Sequence, residues 1–147
     1  VNTILRTFPQ ALRERPLDFY TAAVLFVLGS YELLGASFSS KFNDQMIFII
    51  VNIIGGYFIA ASSLIMISMM CNKVKKPIFS IMGEFYGWMF VTSASIATVL
   101  LYLSSLVWGG APENWLEWSA WMIAWIGMAL AAFLRTVDLW QTFKVVR

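Results

Sequence analysis

The chain has 147 residues, 60% of them hydrophobic and 12% charged, with a net charge of +2 and a mean hydropathy of +0.75. A soluble domain carries roughly 25% charged residues, so this balance excludes an ordinary water-soluble globule, and +2 is too small a charge for a nucleic-acid binder. With no histidine and one cysteine, Cys71, the composition also excludes His-ligated haem, imidazole metal sites, cysteine clusters, intrachain disulfides and histidine acid–base chemistry.

Residues 1–17 place Ile4, Phe8 and Leu12 at four-residue intervals beside Arg6, Arg13 and Arg15. This is the pattern of a short segment lying in a lipid interface, interrupted at Pro9. A first apolar span is expected over about 18–38, with Pro16 suited to a helix start and Asp18 to the positive end of the helix dipole. Glu32 inside that run sets it apart from a secretory signal. A short, nearly neutral loop leads to the second span, about 46–70, which is the longest clean apolar run. Its Gly55-Gly56 pair stands alone and forms no phosphate loop.

The polar stretch Cys71-Asn72-Lys73-Val74-Lys75-Lys76-Pro77 separates it from a third span, about 78–107. A loop holding Glu113 follows, then a fourth span, about 118–134, and a tail over 135–147. Runs of this length match the roughly 20 residues that a helix needs to cross about 30 Å of hydrocarbon. The predicted architecture is therefore an all-α integral membrane protein forming one domain, a bundle of four transmembrane helices.

The charges predict its orientation. Basic residues 6, 13 and 15, then 73, 75 and 76, then 135, 144 and 147 fall on one side of the four spans, and Lys41 alone on the other. Nine against one places both termini and the loop of Lys73, Lys75 and Lys76 in the cytoplasm (N-in/C-in). The expected location is the inner (cytoplasmic) membrane of a cell, with the lipid bilayer as the first partner. Cys71 then sits at a reducing interface and has a packing role.

Small residues four apart let membrane helices approach closely. Gly56 and Ala60 offer this in the second span, Ser93 and Ala97 (also Ala94 and Thr98) in the third, Gly127 and Ala131 in the fourth. The same faces would serve contacts within one chain or between copies. Trp108, Trp115, Trp118 and Trp121 are expected at the outer interface and Trp88 and Trp140 at the inner one, as an aromatic belt, with Trp125 deeper.

Two carboxylates lie inside the apolar runs. An ionisable group at membrane depth is a candidate site by default. Glu32 shares its depth with Asn52, which makes the two a candidate polar pair. Glu84, seven residues beyond Pro77, is close enough to the inner interface to pair with Lys75 or Lys76. The triplets Asp18-Phe19-Tyr20 and Glu84-Phe85-Tyr86 each follow a basic-proline pair, but at different offsets, and read as coincidence.

No nucleophile has a base beside it, so no enzymatic activity, cofactor or metal is expected. The expected function is assembly through helix–helix contacts, as a homo-oligomer or as an accessory or scaffold subunit of a larger membrane complex. In size and layout the chain resembles phage holins, which act through lateral assembly. The alternative is a proton-coupled small-molecule transporter using Glu32. Small multidrug transporters likewise have four spans and a carboxylate in the first, but here Glu32 lies late in its span and the charge bias opposes a dual orientation.

Overall fold

The computed structural model of the chain describes residues 15–33, 45–70, 77–109 and 115–146. Four α-helices account for them: α1 (Pro16–Leu33), α2 (Gln45–Met70), α3 (Pro77–Gly109) and α4 (Trp115–Val146), with no strand among the described residues. Lys73, Lys75 and Lys76 lie outside the described residues, as does the side chain of Glu32.

Helix starts follow from local chemistry. Pro16 and Pro77 open α1 and α3, where a missing N–H costs nothing. The Arg15 carbonyl accepts the first turn's bond from the Phe19 N–H at 3.1 Å, so Arg15 caps α1. Serines and threonines are accommodated inside these apolar helices because their hydroxyls donate back to their own helix. Ser62 Oγ reaches the Phe58 carbonyl at 2.6 Å, and Thr98 Oγ1 that of Ala94 at 2.9 Å.

Three helices contain stretches long and apolar enough to cross a membrane: Ile49–Met70 in α2, Ile78–Ser104 in α3 and Ser119–Val145 in α4. The apolar stretch described in α1, Pro16–Tyr31, is shorter. Residues 135–147, expected as a tail, continue α4 as far as Val146. Arg135 does not break the helix because it pairs with Asp138 one turn on at 2.6 Å, and Leu139 stays buried beyond it. At 1.5 Å per residue, α3 and α4 are each roughly 50 Å long, well beyond the hydrocarbon thickness.

Each helix packs mainly on its neighbour in sequence. The core draws Ala22 and Leu25 from α1, Phe58, Ala61 and Ile65 from α2, Trp88 and Val91 from α3, and Ala132 and Leu139 from α4. Trp88 is therefore a core residue, 3% exposed, rather than a member of an interfacial belt. Trp125 reaches across to α2 and stacks on Phe58 with centroids 5.2 Å apart.

The closest α2–α3 approach is made by Gly83 and Gly87. A Cβ at Gly87 would lie 2.4 Å from Ile65 Cγ1 and 3.1 Å from the Ala61 carbonyl oxygen, and one at Gly83 would lie 2.0 Å from Ser68 Oγ. Beside them, Ser80 Oγ donates to the Ser68 carbonyl at 2.8 Å, a side-chain bond that joins these two helices. Substituting Gly87→Ala is expected to cost about 1–3 kcal/mol by overpacking this contact. Ile65→Ala removes the Cγ1 atom that the new methyl would strike, so the double variant is expected to lose less than the sum of the two single losses, read as the thermal midpoint in detergent.

The small residues read as packing faces divide differently. Ala97 is half-buried, whereas Ser93, Ala60, Gly127 and Ala131 are exposed in the single chain. Gly56 and Gly127 have nothing within 4 Å of a would-be Cβ.

Candidate functional site

Charged side chains that are far apart in sequence meet at one end of the bundle. Arg15 Nη1 donates to Glu84 Oε2 at 2.5 Å, joining the start of α1 to α3. One turn further along α1, Asp18 Oδ2 accepts from Arg135 Nη2 at 2.9 Å, joining α1 to α4. Arg135 Nη1 donates at the same time to Asp138 Oδ2 at 2.6 Å. The guanidinium fork thus bridges two carboxylates, a task for which a point-charge lysine is poorly shaped.

The two arginines differ in what they protect. Glu84 is 2% exposed and Arg15 about one-third exposed, so the carboxylate is the partner that depends on the pair. Asp18 and Arg135 are each about a quarter exposed, and Asp138 is mostly exposed. The cluster is a clasp. It holds the first turn of α1 against two helices, while α1 otherwise packs chiefly on α2.

Glu84 pairs with Arg15; Lys75 and Lys76, its expected partners, lie outside the described residues. Of the other expected polar pair, Asn52 lies half-buried with its Oδ1 unpartnered. Buried groups without a hydrogen-bond partner also include Trp88 Nε1, Ser95 Oγ and Arg135 Nε. Among the described residues no three His, Cys, Asp or Glu side chains are gathered as metal ligands. Both acidic residues of the two acidic-Phe-Tyr triplets, Asp18 and Glu84, belong to the clasp.

The clasp was missed because its pairs are non-local. A usable signal was present in depth: Arg15 stands at the very start of α1, and Glu84 two turns inside α3. Gly83 and Gly87 were likewise overlooked, because they flank a charge in a stretch read as interfacial.

Compared with known protein families, with curated proteins and with solved structures, the chain finds no match in any of the three. Its own geometry has to carry the functional reading.

Proposed function

We propose that this is a multi-pass membrane protein of four spans, N-in/C-in, that works without catalysis by assembling through α4. It would act as a holin-like oligomer or as the scaffold or accessory subunit of a membrane complex, in an inner membrane. The distribution of basic residues supports the orientation: the clasp and Lys144 occupy the end of the bundle that the positive-inside rule assigns to the cytoplasm.

The observation that carries the reading is the outer face of α4. Only 6% of its apolar stretch is buried within the chain, against 33% for α2 and 39% for α3. On that open surface Ala120, Ala124, Gly127 and Ala131 follow one another at intervals of four, three and four residues, all exposed. That spacing is the seam of two helices wound together, and small residues along it let backbones approach. Lipid tails gain little from so shallow a strip, whereas a second helix gains close van der Waals contact. The apolar seam ends at Leu134, because Asp138 is next on the same line.

The test is a cysteine scan in native membranes on a Cys71→Ser background. Cysteines at 124, 127 and 131 are expected to form interchain disulfides on mild oxidation. Cysteines at Ile126 and Phe133, equally exposed but on another side of α4, are expected not to. Equal cross-linking at all five positions would mean random collision and would refute a specific α4 seam.

A further inference from the structure

We propose that the groove between α3 and α4 at the clasp end is a binding site for one acyl chain of an anionic phospholipid, with Lys144 holding the headgroup phosphate. The inference rests on the membrane reading above but not on self-assembly.

The groove runs along two antiparallel helices. Ile81 and Met82 face Phe143 near its mouth, Phe85 and Tyr86 face Trp140 further in, and Thr136 and Val137 line the inner part. That inner part is a shallow depression of about 290 Å³, wide open to the outside of the bundle. The Thr136 hydroxyl is turned away, since its Oγ1 donates to the Ala132 carbonyl at 2.8 Å, so the lining is almost wholly apolar. The aromatic rings form a continuous wall. Phe85 and Trp140 centroids are 5.7 Å apart, and Trp140 stacks on Phe143 at 5.9 Å. A flexible hydrocarbon chain can lie along so shallow an apolar groove with its methylenes against the aromatic wall.

Charge identifies the rest of the ligand. Among the described residues, Arg15 is neutralised by Glu84, and Arg135 by Asp18 and Asp138. No described carboxylate pairs with Lys144. Its Nζ lies 5.5 Å from the centroid of Trp140, a ring that lines the groove. A cation poised on an interfacial tryptophan, above an apolar slot, complements a phosphate whose acyl chain runs inward. Thr136, Trp140 and Lys144 follow a different line of α4 from Gly127 and Ala131, so a lipid and a second copy of the chain do not compete.

The experiment is native mass spectrometry of the full chain in mild detergent, titrated with phosphatidylglycerol or with phosphatidylcholine of the same acyl chains. The wild type is expected to retain about fivefold more phosphatidylglycerol, the effect of one lysine near an anionic headgroup. Lys144→Gln is expected to abolish the preference and Lys144→Arg to keep it. Val137→Trp, which fills the slot, is expected to reduce binding of both lipids. Equal retention of the two lipids by the wild type, a preference that survives Lys144→Gln, or undiminished binding by Val137→Trp would each overturn the site. The same spectra count protein copies separately from lipids, so a failure of self-assembly is distinguishable from a failure of lipid binding.

Discussion

Replacing Arg15 with methionine is expected to destabilise the bundle by roughly 3–5 kcal/mol, the cost of stranding a buried charge. Glu84 is 2% exposed, and Arg15 is the partner that its ion pair provides. The reverse substitution, Glu84→Gln, is expected to cost less, because Arg15 is one-third exposed and its guanidinium can turn to solvent or headgroups. The double variant Arg15→Met/Glu84→Met is expected to recover most of the stability, since a buried ion pair and an apolar pair of similar volume differ little. The thermal midpoint in detergent, followed by tryptophan fluorescence, separates the three variants. An Arg15→Met protein as stable as the wild type would show that the clasp does not hold α1.

The second large effect is expected where α1 crosses α2. A Cβ on Gly29 would lie 2.6 Å from the Gly55 carbonyl oxygen, 3.0 Å from Phe58 Cβ and 3.1 Å from Ile59 Cγ1. The first of these is backbone and has no rotamer to give, so Gly29→Leu must push the helices apart. A loss of about 3 kcal/mol is expected, at the upper end of overpacking effects. Gly56→Leu is the matched control, one residue from Gly55 but in open space, and is expected to change the stability of the single chain by no more than about 0.5 kcal/mol. Similar losses in the two variants would contradict the packing described for α1 and α2.

Both effects show which parts of the fold could be read from one sequence. The helices were legible because their signals are local: apolar runs of the right length, Pro16 and Asp18 at the start of α1, Pro77 at the start of α3. The far end of α4 was not. Arg135 looks like the end of a span when charge alone is considered, but its pairing with Asp18 and Asp138 and the burial of Leu139 carry the helix on to Val146.

Packing faces were harder still. A pair of small residues four apart identifies a surface that can be approached, without identifying what approaches it. Gly83 and Gly87 meet α2, and Gly29 meets Gly55, while a Cβ at Gly56 or Gly127 would have nothing within 4 Å among the described residues. Trp88 reads as a belt residue from its distance to Pro77. Its side chain is buried because it lies one turn beyond Glu84, on the face shared with Val91. Glu84 was recognised as a residue needing an explanation, but its partner lies 69 positions away. Depth in the bundle, more than proximity in sequence, decides such pairs.

The most direct measurement is the mass of the particle released from its native membrane by gentle extraction, for the wild type and for Gly127→Leu. Assembly through α4 requires a defined particle with more than one chain, either copies of this one or a fixed complex with other subunits. It also requires that Gly127→Leu reduce that particle to a single folded chain with an unchanged thermal midpoint, because nothing described lies within 4 Å of a Cβ at Gly127. A wild-type particle containing one chain, or an assembly indifferent to leucine at position 127, would contradict it.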